Sequence, residues 1–262
     1  MKKTLSLTLA AILSLSALSA TAFADNSADV YVTIADDKGE LAVAYEKVTV
    51  TDTDADGALT IADALFCAHD KFYDGGAVAG FGSYMGDYGL AMNKLWGVDN
   101  GGSYGYCKNN VSAMSLADAV ANGDYISAYC YTDLTAWSDT YCYFDNETLN
   151  ASAGDTVALT LSGNGYDDSW NPITIAIEGA EIYLNGNATG VKTDAQGKAE
   201  ITLENEGSYT ISAKSDSQIL VPPVCIANVT ADTAPDTGVK ATGAMALAAC
   251  SLAALVCFKR RK

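Results

Sequence analysis

Between positions 52 and 63 the chain reads Asp52-Thr-Asp54-Ala-Asp56-Gly57-Ala58-Leu59-Thr60-Ile-Ala-Asp63, and no other stretch constrains the fold as much. Four carboxylates gathered so closely repel one another unless a cation or a set of hydrogen-bond donors holds them. Counted as a twelve-residue loop, the carboxylates fall at positions 1, 3, 5 and 12, with glycine at 6, an aliphatic residue at 8 and a hydroxyl at 9. Alternate oxygens on a tightly curled loop converge on one point, and a hard cation such as calcium is satisfied by such a set. Asp52, Asp54, Asp56 and Asp63 are the candidate carboxylate ligands; Ala58 would offer its carbonyl, and Thr60 its hydroxyl or a bridging water. Gly57 permits the left-handed backbone that turns the chain around the ion, and Leu59 would pin the loop to a core. Asp63 is shorter than the glutamate that usually closes such a loop with both oxygens, so a weaker site is expected. The competing reading is an acidic surface turn in an aspartate-rich chain.

The flanks decide what kind of loop this is. Upstream, Leu41 to Val50 is rich in β-branched and aromatic residues and predicts a strand. Downstream, Ile61, Leu65, Ala68 and Phe72 share one helical face, and Thr60-x-x-Asp63 has the form of a capping box. The loop resembles an EF-hand calcium loop, but the setting is strand-loop-helix rather than helix-loop-helix. A structural staple is therefore expected, not a sensor that opens on binding calcium.

Both ends carry addresses. Lys2-Lys3, an apolar run from Leu5 to Leu18 and Ala22-Phe23-Ala24 predict a secretory signal peptide over 1–24. At the other end, within 233–262, Ala234-Pro235-Asp236-Thr237-Gly238 precedes an apolar segment, 241–258, and then Lys259-Arg260-Arg261-Lys262. As a helix that segment would rise about 27 Å, enough to span a hydrocarbon core with the basic tail on the cytoplasmic side. This end resembles the sorting signal of Gram-positive surface proteins, whose motif is Leu-Pro-x-Thr-Gly. Pro235, Thr237 and Gly238 match it, and Ala234 stands where the motif has leucine. The resemblance implies that a sortase cleaves after Thr237 and joins it to peptidoglycan; the alternative is a plain single-pass anchor. Either way the expected location is the extracellular face, anchored to wall or membrane.

All 32 acidic residues but only 8 of the 15 basic ones lie in the mature ectodomain expected from these signals, residues 25–237, a balance near −24. That excludes nucleic acid and anionic lipid as partners and suits a surface protein that takes up divalent cations. Cys67, Cys107, Cys130, Cys142 and Cys225 lie in the same region, Cys250 and Cys257 in the apolar segment. None has metal-ligand spacing, and five is odd, so at least one thiol is expected free or paired between chains.

The region between the signals divides in two. Residues 25–144 combine short strands, one good helix and glycine-marked turns, an α+β pattern. Three blocks resemble the transcobalamin C-terminal-like, β-grasp-related domain. They are Thr60-Ile-Ala-Asp63-Ala-Leu65 at the helix start, Gly102-Ser-Tyr104-Gly-Tyr106-Cys-Lys-Asn109-Asn110 in the glycine-aromatic strand, and Leu116 through Gly123-Asp124-Tyr125-Ile126 at the closing strand. The resemblance implies a ligand face on the glycine-aromatic strand, with corrinoid as one ligand of the family. Ten of the fifteen tyrosines fall between Tyr73 and Tyr143, beside Trp96 and Trp137. Flat rings with polar tips suit stacking on a sugar or macrocycle, and Trp96, Tyr104, Tyr106 and Asn110 are the candidate ligand-binding group. The alternative is that the rings alternate between core and surface of a sheet.

Residues 145–232 change to alternating short strands at regular spacing, which predicts an all-β sandwich. Thr193-Asp-Ala-Gln-Gly197-Lys-Ala-Glu-Ile201 and Gly207-Ser-Tyr209-Thr-Ile211 resemble the final hairpin of bacterial immunoglobulin-like domains, which act as spacers. No enzyme is expected, since His69 is the only histidine and no nucleophile stands near it in the pattern. Three functions remain open: a ligand-binding protein or adhesin, taking a small molecule or glycan; a calcium-stiffened spacer without a ligand; and a cohesin-binding dockerin, disfavoured because only one loop is present rather than two.

Overall fold

The computed structural model describes residues 27–231, Trp170 excepted. The signal peptide, the sorting motif Pro235, Thr237 and Gly238, the apolar segment 241–258, Cys250 and Cys257 lie outside the described residues. Among the described residues no helix is long and apolar enough to cross a membrane.

The N-terminal half, the head, runs β1 (Ser27–Ala35), β2 (Leu41–Thr51), α1 (Ile61–Phe72), α2 (Gly76–Gly80), β3 (Gly82–Gly86), β4 (Gly89–Lys94), β5 (Tyr104–Lys108), β6 (Val111–Ser112) and β7 (Tyr125–Cys130). Five strands form one sheet in the order β2-β1-β7-β5-β6, with β1 and β7 parallel, and β3 and β4 make a separate hairpin. Helix α1 starts where the capping box predicts. The Thr60 hydroxyl accepts the Asp63 N–H, and the Asp63 carboxylate accepts the Thr60 N–H. Ile61, Leu65 and Ala68 are buried on the helix face that covers the sheet, against Val30, Val32, Ile34, Ile126 and Ala128. The glycine-rich stretch after it closes into the short helix α2. There Gly80 leaves room for the rings of Tyr73 and His69.

Strand β7 is buried along its whole length, which an alternating strand achieves only when both faces are covered. Ile126, Ala128 and Cys130 face the helix; Tyr125 and Tyr129 face the other way. The second cover is supplied by the C-terminal half.

That half runs β8 (Thr140–Phe144), β9 (Thr148–Ser152), β10 (Asp155–Tyr166), β11 (Pro172–Ala176), β12 (Glu181–Leu184), β13 (Asn187–Lys192), β14 (Lys198–Leu203), β15 (Gly207–Lys214), β16 (Leu220–Val221) and β17 (Cys225–Thr230). It is an all-β sandwich. One sheet has the order β11-β10-β8-β16, with β14 also on β10; the other has the order β13-β12-β15-β17-β9. Phe144, Leu159, Leu161, Ile201 and Leu203 meet Ile182, Ile211, Ala227 and Val229 in the core between them. In β14 the alternation is strict, with Ala199, Ile201 and Leu203 inward and Lys198, Glu200 and Thr202 outward.

The expected boundary after Phe144 does not match the pairing. Strand β8 bonds to β10 and β16, and Cys142 and Phe144 lie in the sandwich core, so the head's sheet ends at Cys130. The misplacement has a simple cause. Tyr-Cys-Tyr-Phe carries the same local pattern as the head's strands, and only long-range pairing assigns it.

Candidate functional site

The acidic loop lies between β2 and α1. Ala55 and Gly57 both adopt positive φ, 61° and 90°, and this double left-handed curl brings the carboxylates inward. Carboxylate oxygens of Asp52, Asp54 and Asp63 lie within 4.8 Å of one another. Backbone N–H groups already serve the rim of the loop: Asp52 accepts from Gly57 at 2.9 Å, and Asp56 accepts from Ala58 at 2.8 Å. Asp56, expected among the ligands, thus turns to the chain's own backbone and stands outside the gathered trio. Asp63 is the most committed member. One oxygen accepts the N–H and hydroxyl of Thr53, the other the N–H and hydroxyl of Thr60. Burial pushes the Asp63 carboxyl up, but these bonds from Thr53 and Thr60 outweigh it and hold the group below its ordinary value. Asp54 goes the other way: desolvation and the neighbouring carboxylates Asp56, Asp63 and Asp52 raise it, against one bond from the Asp56 N–H.

Hard oxygens of this kind fit a calcium ion. Asp52, Asp54 and Asp63 would hold it, with Thr53 or Thr60 turning a hydroxyl hydrogen away to free a lone pair on Asp63. The Thr60 hydroxyl is occupied as the helix cap, so its expected part as a metal ligand competes with that bond.

The four residues expected to form a ligand face are dispersed. Trp96, at φ 51°, packs on the rings of His69 and Tyr73 at 5.3 and 5.0 Å. The Tyr104 hydroxyl has the carbonyls of Asn93 and Val98 as acceptors and itself accepts the Asn100 N–H, so it ties the 93–100 segment together. Tyr106 opens onto a groove with Tyr84, Tyr88 and Met114. Asn110 sits at the junction of head and sandwich. Its Nδ2 donates to Glu147, its Oδ1 accepts from Tyr141, and its carbonyl accepts from Asn164.

Next to that junction lies a cleft of about 630 Å³, walled by Asn110, Val111 and Met114 from the head and by Tyr143, Tyr166 and Ile173 from the sandwich. Val111, Met114 and Tyr166 are exposed there. Among the described residues, none that lines this cleft carries a formal charge, in a chain otherwise crowded with carboxylates. Sequence reasoning missed the cleft because half of its wall comes from strands β10 and β11, far along the chain.

Seven of the fifteen tyrosines serve a different purpose. Tyr129 and Tyr141 stack at 5.9 Å across the junction, Tyr131 and Tyr143 pack beside them, and Cys107 and Val221 complete this buried layer. Tyr31 and Tyr45 stack at 4.6 Å farther along the same sheet, with Tyr125 against Tyr45. His69 is core. Its Nδ1–H donates to the Leu65 carbonyl at 2.6 Å and its Nε2 accepts the Trp96 N–H at 3.1 Å. Burial pulls its pKa down from 6.5 to about 4. All five cysteines among the described residues are free thiols, and all but Cys67 are buried. Burial pushes the Cys107, Cys130 and Cys225 thiols up to about 12, which leaves them unreactive.

No family model matches the chain, and no curated protein matches it. Solved structures similar to it include the N-terminal four Ig domains of Dscam1. Isoform 9.44 aligns with a TM-score of 0.21 and 12% identity over 57% of this chain and 31% of that one. Isoform 7.44 aligns with a TM-score of 0.22 and 9% identity over 78% of this chain and 44% of that one. The chain thus spans less than half the length of these structures, and a likeness at that level carries no weight for function.

Proposed function

We propose that the chain is a non-enzymatic protein displayed on the outer face of a Gram-positive cell, with the head as ligand-binding module and the sandwich as an immunoglobulin-like stalk. The observation that carries this reading is the uncharged cleft between them. Its volume suits a small ligand, and rings with neutral hydrogen-bonding groups suit a corrinoid or a neutral glycan rather than an ion. Of the residues selected from sequence, Asn110 borders this cleft and Tyr106 the adjoining groove, with Met114 common to both. The strand order β2-β1-β7-β5-β6 with α1 across one face supports a β-grasp-like head of the transcobalamin C-terminal type. In this reading calcium in the 52–63 loop staples α1 to β2, and a sortase joins Thr237 to peptidoglycan. The commitment of both His69 nitrogens supports the absence of enzymatic chemistry.

Equilibrium dialysis of cobalamin and of neutral oligosaccharides against the protein, in calcium and in chelator, tests the head. Retention that Tyr166→Ala and Met114→Ala both weaken supports the reading; retention indifferent to both places the ligand elsewhere. A second reading, a spacer without a ligand, is favoured by one observation. The side chains of Asn109 and Asn110 are already hydrogen-bonded within the protein. Failure to retain any of these probes leaves that reading standing.

A further inference from the structure

Three strand pairings among the described residues are parallel: β1 with β7, β8 with β16, and β9 with β17. Every other ladder between named strands is antiparallel. The three share one property. Each joins the strand by which the chain enters a domain to a strand by which it leaves. Strand β1 opens the head and β7 closes it, in register from Tyr31↔Tyr125 to Ala35↔Tyr129. Strands β8 and β9 open the sandwich, and β16 and β17 close it, with β9 and β17 paired from Thr148↔Ile226 to Ser152↔Thr230.

Direction matters because of how tension reaches the hydrogen bonds. When entry and exit strands are antiparallel, their loaded ends lie side by side, and pulling opens the ladder one bond at a time. When they are parallel, the loaded ends lie at opposite ends of the ladder. The strands must then slide past each other, and all bonds between them bear the load together. Forced unfolding is governed by the barrier to unfolding, so loading the bonds together raises the force needed.

We propose that both domains are mechanical clamps, built to hold when tension runs along the chain from the head to the C-terminal end of β17. The β1/β7 ladder carries the load through the head, and β9/β17, reinforced by β8/β16, carries it through the sandwich. The bonds Ile226 N–H to Glu147 O and Ala153 N–H to Thr230 O close the β9/β17 ladder at its two ends, each 2.8 Å long. The surface-tethering reading supplies only the source of the load in the cell. The clamp itself follows from the topology.

Single-molecule force spectroscopy on the full-length chain in detergent, with peptide-tag handles inserted before Ser27 and after Ala231, tests this directly. A second geometry keeps the handle after Ala231 and moves the other to an azide-bearing side chain at the exposed position 206. Both handles then lie at the same end of the antiparallel β15/β17 pair, where Gly207 faces Val229. The sandwich is expected to rupture at a force at least about twofold higher in the first geometry than in the second. A third arm is Asn228→Pro. The alternation along β17 directs this exposed residue's N–H toward β9, so the variant removes a clamp bond. It should lower the sandwich's peak and leave the head's peak unchanged, the two being told apart by contour length. Equal forces in the two geometries overturn the proposal, as does an Asn228→Pro variant that folds and keeps the parent's sandwich peak. If that variant fails to fold, the two geometries decide alone. None of these readouts depends on whether a sortase acts on Thr237, which a separate wall-linkage assay reports.

Discussion

The hydroxyl of Tyr141, on the first strand of the sandwich, donates to Oδ1 of Asn110, at the tip of the β5/β6 turn of the head, 2.9 Å away. Tyr141 is buried and stacks on Tyr129, so this bond and this ring couple the two domains at one place. Tyr141→Phe keeps the ring and removes the donor. It should cost about 1 kcal/mol and lower the melting temperature by about 2–4 °C. Head and sandwich should still melt in one transition by calorimetry. Two separated transitions in the parent protein would show that the junction does not couple the domains.

The acidic loop separates ion binding from helix capping. Asp54 touches the gathered oxygens without capping the helix, whereas Asp63 does both. Asp54→Ala should lower thermal stability in calcium and leave it nearly unchanged in chelator, where relief of carboxylate repulsion offsets any lost contact. Asp63→Ala should cost about 1–2 kcal/mol in chelator as well, through the lost cap and the Thr53 and Thr60 bonds. Melting curves of the two variants in both media check this, and identical behaviour of Asp54→Ala and parent in calcium would remove the staple.

His69 makes stability depend on acid. Its pKa in the fold, about 4, lies below its ordinary value of 6.5, so the fold favours the neutral ring. The stability it supplies is full above pH 6.5 and is lost as the pH falls toward 4, to a total of about 3 kcal/mol at most. Denaturant unfolding at intervals between pH 7 and 4 should show this slope. His69→Gln, less stable at neutral pH, should flatten it. A slope unchanged in the variant would assign the acid sensitivity to the carboxylates.

Gly105, on β5, lies under the ring of Tyr129: a Cβ there would come within 2.1 Å of Tyr129 Cζ. Gly105→Ala must therefore displace a buried ring of the inter-domain layer, at about 1–3 kcal/mol. Gly101→Ala, with open space around its Cβ but φ at +81°, should cost about 1 kcal/mol through backbone strain alone. Urea denaturation distinguishes them, because only Gly105→Ala should also weaken coupling between head and sandwich.

Much was legible in the chain because it is set by neighbours in sequence. Thr60-x-x-Asp63 caps its own helix, Gly57 turns its own loop, and the alternation Lys198–Leu203 sorts one strand's faces; each is local steric and hydrogen-bond chemistry. What tertiary structure decided is which surfaces meet. A period of two tells that Tyr125 and Tyr129 share a face of β7, but not that the face is covered by another domain, nor that Tyr129 stacks on Tyr141 in a buried junction. The same holds for Tyr141–Phe144, whose pattern suits either sheet until β10 and β16 take it. The parallel clamps are the extreme case. Strand direction relative to a partner more than 70 residues away leaves no trace in local composition, because hydrogen bonding between strands uses backbone groups that every residue carries alike.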